Sequence, residues 1–267
     1  MIEGKNIPIS DETPYVWIRN EITCKKILKK GDKGKKVKII QEWLCLHGYR
    51  IVIDGDFGPA TEYAVRQFQQ SRHLQETGTV EENSFRSLVS PLRRALARPQ
   101  QYNSYNGLIV QWARNHLAEN PREVGGANRG PWVRVYMSGN QGADYPWCAG
   151  FVSFILMQAA DAMKTAMPLN PTFSCDALAA DAKARGLFVS ERDLAKNNPP
   201  KKEMPPGSIF LRRSTGNDWT HTGLVLRFDE DTFQTIEGNT NDAGSREGYE
   251  VCRRIQGYAK KDFIRIG

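Results

Sequence analysis

The sequence predicts an α+β protein in which a small three-helix domain precedes a larger α+β domain with an antiparallel sheet. The chain has 267 residues, which exceeds the roughly 150 residues of one typical domain and favours two. Apolar residues follow a helical period in most of the first 186 residues, and strand-like segments dominate after residue 207. Helices first and strands later are typical of an α+β domain.

Three helices are predicted in the first domain. Val37, Ile40 and Leu44 lie at helical spacing, so a helix is expected over 34–47. Pro59 follows a turn-rich stretch and is suited to the first position of a second helix. A third helix is expected over 78–88.

The predicted helices and a polar segment after them set the predicted domain boundaries. The three helices place the first domain at 24–92, and residues 1–23 before it form an N-terminal extension. Residues 93–106 are polar and lack a sustained period, which predicts a linker. The second domain then covers 107–267.

Helices are also expected at the start of the second domain. One contains residues 108–117, and another opens at Cys148 and continues, apolar on nearly every face, to about Met163. Ser174 is the predicted N-cap of a further helix. Four strands are then expected at 208–211, 222–228, 233–237 and 262–266.

Charge is concentrated near the N-terminus. The formal net charge is +7, and residues 25–38 contain eight lysines opposed only by Asp32. Such a stretch attracts a polyanion such as nucleic acid, an acidic wall polymer or a lipid head group. A solvated helix face is the alternative interpretation.

The five cysteines are too few and too scattered for a disulfide framework. The sequence contains no CxxC motif, so neither a metal site nor a cofactor is predicted, and reduced thiols are expected. Structural roles are predicted for four of them: Cys24, Cys45, Cys175 and Cys252.

Cys148 is the predicted nucleophile. It lies where a turn gives way to an apolar helix, and unpaired N–H groups and the helix dipole favour a thiolate at that position. Trp147 beside it is predicted either to pack or to line a substrate cleft.

A histidine and two polar residues on later strands complete the expected site. If the hairpin turn is centred near Glu230, His221 lies opposite Asn239, with Glu237 diagonal to it on the same face. The imidazole would act as the base, and Glu237 or Asn239 would orient it. A one-residue slip would separate them.

The first domain resembles the peptidoglycan-binding domain type 1 family. The resemblance rests on motifs that span the module and include Val37-x-x-Ile40-Gln41-x-x-Leu44, Asp54-Gly55-x-Phe57-Gly58-Pro59-x-Thr61, Phe68-Gln69 and Gly78-x-Val80. It implies attachment to the bacterial cell wall.

The second domain resembles the CHAP family, cysteine, histidine-dependent amidohydrolases/peptidases within the papain-like and NlpC/P60-like group. The motifs are Trp147-Cys148-Ala149-x-Phe151-Val152, Pro206-Gly207-Ser208-Ile209, His221-Thr222-Gly223-Leu224-Val225 and Ile236-Glu237-Gly238-Asn239. The resemblance implies a papain-like fold, Cys148 as nucleophile, His221 as base, and Glu237 with Asn239 as supporting groups. Many relatives have Gly-Asp where this chain has Gly207-Ser208.

Together these features predict a peptidoglycan hydrolase that cleaves an amide bond. Whether it is an N-acetylmuramoyl-L-alanine amidase or a stem or cross-bridge endopeptidase stays open, because both reactions are acyl transfer from an amide. Two alternatives are an inactive wall-binding protein and a cysteine protease or deamidase acting on proteins.

The expected partner is bacterial peptidoglycan, with no nucleic acid, no cofactor and a monomeric chain. The sequence has neither an apolar signal-peptide core at its N-terminus nor 18 consecutive apolar residues. Synthesis in the cytoplasm is therefore expected, followed by action at the wall or periplasm after release, as for a phage endolysin, or after injection as a toxin.

Overall fold

A computed structural model describes residues 9–11, 13–101, 104–197, 199–241 and 248–267. It divides into two compact units. We call residues 9–94 and 122–143 the helical unit, and residues 95–121 and 144–267 the sheet unit. The first eight residues of the predicted N-terminal extension lie outside the described residues.

The described residues form the following elements. The helices are α1 (Val16–Ile22), α2 (Lys35–Leu46), α3 (Pro59–Ser71), α4 (Glu82–Leu88), α5 (Ser90–Leu96), α6 (Tyr105–Ala118), α7 (Pro131–Tyr136), α8 (Cys148–Met163), α9 (Cys175–Ala184) and α10 (Glu191–Ala195), with a 3-10 turn at Lys201–Glu203. The strands are β1 (Phe188–Val189), β2 (Ile209–Thr215), β3 (Asp218–Phe228), β4 (Thr232–Thr240), β5 (Glu250–Gly257) and β6 (Lys261–Ile264). The predicted α+β class is confirmed, with a helical domain near the N-terminus.

The three predicted helices of the first domain are α2, α3 and α4. Pro59 is the first residue of α3, where its missing N–H leaves no hydrogen bond unmade. Large aromatic side chains fill the core between these helices, and Phe57, Phe68 and Phe85 are all at most 1% exposed. Their burial supplies much of the unit's hydrophobic stabilisation.

Two buried glutamines hold the loops of this helical core. Gln41 Nε2 donates to Asp54 Oδ1 at 2.8 Å, and its Oε1 accepts the N–H of Gly55 at 2.7 Å. Gln69 repeats the arrangement, because its Nε2 donates to the Thr79 carbonyl at 2.8 Å and its Oε1 accepts the N–H of Gly78 at 2.9 Å. These motif residues therefore position turns.

Residues 122–143 belong to the helical unit, although the sequence placed them with the second domain. Arg134 of α7 explains their position. Its guanidinium is 4% exposed and bonds Glu21 of α1 at 2.7 and 2.9 Å and Glu42 of α2 at 2.6 and 3.1 Å. A buried guanidinium needs such partners because it has lost its hydration. The predicted boundary at residue 107 stays a prediction.

The segment predicted as a linker is partly helical. Helix α5 extends to Leu96, and both Ala95 and Leu96 are buried. Ser104 caps α6 by accepting the N–H of Gly107. Residues 102 and 103 of this segment lie outside the described residues.

An antiparallel sheet forms the centre of the sheet unit. Its strand order is β1-β6-β2-β3-β4-β5. Helix α8 packs against β3 and β4, and α6 packs against α8. A hydrophobic core cluster of the sheet unit comprises seven buried side chains: Val189, Leu194, Met204, Phe210, Val225, Phe233 and Phe263.

Strand β5 was not predicted from the sequence. It pairs with β4 and forms one edge of the sheet. Only Val251 of this edge strand is buried, and Ile255 is 70% exposed, so an apolar alternation is absent. The two-residue strand β1 was not predicted either, whereas β2, β3, β4 and β6 lie close to their predicted positions. No helix in the described ranges combines the length and hydropathy needed to cross a bilayer.

We predict that Arg134→Met destabilises the helical unit by about 3–5 kcal/mol, because it leaves the Glu21 and Glu42 carboxylates buried without their cation. Urea denaturation of the full chain, followed by circular dichroism, measures the loss.

The matched control is Arg50→Met, which removes an exposed guanidinium from the same unit. Its effect should stay within about 0.5 kcal/mol. Equal stability of the Arg134→Met variant and the wild type would show that the buried ion pairs contribute nothing.

Candidate active site

Cys148 is the first residue of the buried helix α8. Its side chain is 5% exposed, so the sulfur lies inside the protein beside the first turn of the helix. The preceding residue, Trp147, is the N-cap and makes no side-chain capping bond, so the N–H groups of the first turn are left without that partner. An anion is therefore favoured at this helix start.

His221 and Glu237 lie beside it on adjacent strands. His221 Nε2 is 2.9 Å from Glu237 Oε2, and both side chains are at least 95% buried. Since Nε2 is occupied by the carboxylate, Nδ1 is the nitrogen left for Cys148, and it makes no hydrogen bond within the described residues.

A β-bulge brings these residues together. Near the turn, Phe228 pairs with Phe233, a register that would place His221 opposite Thr240. The irregularity between Val225 and Arg227 moves the pairing by one residue, so Leu224 pairs with Ile236. If this register continued along the strands, His221 would lie opposite Asn239 and diagonal to Glu237, which is the arrangement predicted from the sequence.

Two neutral donors hold the Glu237 carboxylate. Its Oε1 accepts hydrogen bonds from Thr235 Oγ1 at 2.5 Å and from Gln256 Nε2 at 2.8 Å. Glycine at 223 leaves room for it, because a Cβ there would lie 2.7 Å from Glu237 Cγ. The carboxylate is therefore fixed on the imidazole side of the sheet.

The three groups form a buried charge chain. Burial opposes the charge on His221, but the neighbouring Cys148 sulfur and then the Glu237 carboxylate raise its pKa to about 9. A hydrogen bond from Cys175 holds the pKa of Cys148 well below its usual range; burial raises that pKa, and His221 lowers it further. Both directions favour a thiolate paired with an imidazolium.

Asn239 and Trp147 are buried near this chain. Asn239 has a left-handed φ of 55°, and the β4–β5 pairing is irregular between Glu237 and Thr240. Trp147 is completely buried and packs against Gly238, where a Cβ would come within 2.8 Å of its ring. This burial supports the packing interpretation of Trp147, and its substrate role stays a prediction.

The sequence interpretation missed Cys175. Its sulfur lies 3.8 Å from that of Cys148, and it is the first residue of α9, as Cys148 is of α8. The signal was available, because Ser174 predicts a helix start at Cys175. The proximity of the two helix starts depends on tertiary packing, which the sequence pattern does not give.

The lysine-rich stretch is partly engaged within the helical unit. Lys26 pairs with Asp32 at 2.8 Å, and Lys33 pairs with Asp56 at 2.7 Å. Lys36 is half-buried and donates to the carbonyls of Asn20 and Thr23. Part of the positive charge expected to attract a polyanion is therefore neutralised or bound.

Residues 33–88 match the family described as "Putative peptidoglycan binding domain". The match covers α2, α3 and α4 with the glutamine-held loops between and after them. This chain therefore contains a peptidoglycan-binding domain. The search of curated proteins found no match.

Solved structures similar to part of the chain include a peptidoglycan-binding protein from Clostridioides difficile in complex with glutamine hydroxamate. It is 38% identical over 24% of this chain and 40% of its own length, with a TM-score of 0.23. A fused Zn-dependent amidase/peptidase/peptidoglycan-binding domain-containing protein from Clostridium acetobutylicum is 29% identical over 36% and 47% of the two chains, with a TM-score of 0.24.

The Burkholderia AP3 phage endolysin is 24% identical over 39% of this chain and 40% of its own, with a TM-score of 0.24. The chain thus spans less than half the length of each of these three proteins. Scores this low show no shared overall fold. Within the described ranges, no group of three or more His, Cys, Asp or Glu side chains could hold a metal ion.

We predict that Cys148 is alkylated by iodoacetamide well below pH 9, because its thiolate is stabilised in the folded protein. Glu237→Gln removes the carboxylate beside the imidazolium, so the apparent pKa of Cys148 should rise. Peptide mass spectrometry of samples alkylated across a pH series measures both.

Glu230→Gln is the matched control, since this carboxylate is exposed at the β3–β4 turn. Its alkylation profile should match the wild type. If the Glu237→Gln profile also matched the wild type, Glu237 would have no influence on the thiol.

Proposed function

We propose that the protein is a peptidoglycan hydrolase that cleaves an amide bond through a Cys148 thiolate. The observation that carries the proposal is the buried chain from Cys148 through His221 to Glu237, in a protein that also contains a peptidoglycan-binding domain. Nucleophile, base and orienter are the three roles that thiol acyl transfer requires.

The reaction follows from the positions of these groups. The Cys148 thiolate attacks the amide carbonyl, and N–H groups at the start of α8 donate to the oxyanion that forms. His221 gives its Nδ1 proton to the departing amine, leaving an acyl thioester. A water molecule then attacks the thioester while the neutral imidazole takes its proton, and the C–S bond breaks to release the carboxylic acid and the Cys148 thiolate.

Glu237 acts through His221. Its carboxylate holds Nε2–H, which fixes the ring with Nδ1 toward the sulfur and stabilises the imidazolium. Thr235 and Gln256 prevent the carboxylate from turning away. Asn239 is proposed as a further supporting group on β4.

The peptidoglycan-binding domain would raise the local concentration of substrate. A tethered second binding event is governed by an effective concentration in the millimolar range for a short, flexible connection. The proposed site of action is therefore the bacterial cell wall. This arrangement suits a wall hydrolase better than an enzyme that acts on proteins.

We predict that wild-type protein clears a suspension of purified peptidoglycan and that Cys148→Ala does not. The alanine removes the nucleophile and leaves the rest of α8 unchanged. Turbidity measures clearing, and Cys252→Ala is the matched control, since Cys252 lies on the edge strand β5. Equal clearing by wild type and Cys148→Ala would rule out the thiol mechanism.

The released fragments identify the bond. A new N-terminal L-alanine on the stem peptide indicates an amidase, whereas a new amine within the stem or cross-bridge indicates an endopeptidase. Mass spectrometry of the soluble products distinguishes them. We also propose that the protein is endolysin-like, because a candidate thiol site and a peptidoglycan-binding domain occur in one chain.

We predict a pH–rate profile with an upper limb near pH 9. The pKa of His221 is raised, so the imidazolium persists at neutral pH and is lost as pH rises through about 9. The pKa of Cys148 is lowered, so the thiolate is protonated, and activity is lost, only at a pH well below the upper limb. The two limbs belong to the coupled pair, and kcat/KM measured on a soluble muropeptide reports them. An upper limb near pH 6.5 would contradict a stabilised imidazolium.

A further inference from the structure

Cys148 and Cys175 form a close pair in the sheet unit. Their sulfur atoms are 3.8 Å apart, both side chains are at least 92% buried, and neither residue is part of a disulfide. A disulfide bond is about 2.05 Å long, so the two sulfur atoms must approach each other by less than about 2 Å to form one. Among the cysteines, only these two are buried.

Packing on both sides keeps Cys175 in this position. Ser153 of α8 donates to the carbonyl of Thr172 at 2.8 Å and accepts its N–H at 3.1 Å. Asp176 accepts the N–H of Trp219 on β3 at 2.7 Å. The start of α9 is therefore bound to the helix that carries Cys148 and to the strand that carries His221.

The proposed reaction gives Cys175 no chemical step. In the reduced protein the two sulfur atoms are within hydrogen-bond distance, and when Cys148 is a thiolate the Cys175 S–H is the donor and stabilises that charge. A stabilised thiolate is also the form that oxidants attack. A second thiol within reach of an oxidised one is the arrangement typical of a resolving cysteine.

We propose that Cys148 and Cys175 are a reversible redox pair, with Cys175 as the resolving residue and a hydroperoxide as the oxidant. The Cys148 thiolate attacks one peroxide oxygen, the O–O bond breaks, and Cys148 sulfenic acid and hydroxide form. The Cys175 thiol then attacks the sulfenic sulfur, forms the S–S bond and releases hydroxide. With protons from the imidazolium and the Cys175 thiol, two thiols and one hydrogen peroxide give one disulfide and two water molecules.

The disulfide removes the proposed nucleophile without destroying it. Without Cys175, the sulfenic acid would continue to sulfinic acid, which a dithiol does not reduce. With it, a dithiol restores both thiols. The consequence for activity rests on the proposed function, whereas the disulfide itself does not.

The test treats the full chain with hydrogen peroxide and maps its peptides without reduction. Wild type should give a cross-linked peptide containing Cys148 and Cys175, and dithiothreitol should release it. Cys175→Ala and Cys175→Ser should give sulfinic acid at Cys148 and no cross-link. The control Cys252→Ala should behave as wild type. Circular dichroism verifies that each variant is folded.

Peptidoglycan clearing is measured on the same samples. Peroxide should reduce wild-type clearing to the level of Cys148→Ala, and dithiothreitol should restore it, whereas the Cys175 variants should not recover. Sulfinic acid at wild-type Cys148 without a cross-link would overturn the redox pair. A cross-link in a protein that never clears peptidoglycan would uphold the pair and contradict the proposed function.

Discussion

The candidate site depends on keeping a charged imidazole inside the protein. His221 is 4% exposed, and an imidazolium there is unfavourable unless opposite charge compensates for its lost hydration. Cys148 and Glu237 supply that charge from two sides. The start of helix α8 favours the Cys148 thiolate. Thr235 and Gln256 donate hydrogen bonds to the Glu237 carboxylate and so stabilise its negative charge. The bulge in β3 and the glycine at 223 bring the members within reach.

The helical unit shows a different use of buried polar groups. Gln41 and Gln69 each bond one glycine N–H and one loop acceptor, so a neutral amide defines each turn without any need for charge compensation. Arg134 is the charged counterpart, and its two carboxylate partners attach α7 to α1 and α2. Residues that read as family motifs in the sequence thus have architectural roles, and their presence identifies a binding domain without identifying the side chains that contact glycan.

The sequence predicted the parts of this protein that depend on local pattern. Helix α8 begins at Cys148 because a turn precedes a long apolar run, and the alternation of β4 places Glu237 on a definite face. The pairing of His221 with Glu237 required more than the turn, since the bulge after Val225 corrects a register that the hairpin alone would have set one residue away. Long-range packing was not predictable: Arg134 finds carboxylates 92 and 113 positions away, and Cys175 lies beside Cys148 across 27 positions. Strand β5 was missed because its partner strand, and not its own hydrophobicity, holds it at the edge.

The same physical feature accounts for both the proposed reactivity and its proposed control. A thiol inside a protein is normally inert, because burial raises its pKa. Here the Cys175 thiol, the imidazolium and the helix start outweigh burial. A stabilised thiolate reacts with electrophilic oxygen as well as with carbonyl carbon, so the interactions that favour the Cys148 thiolate also favour its oxidation. Because the group that stabilises the thiolate is itself a thiol, the activating contact is already in position to become the protecting bond. A serine at 175 could donate the same hydrogen bond but could not form that bond, and this difference separates the two roles of Cys175.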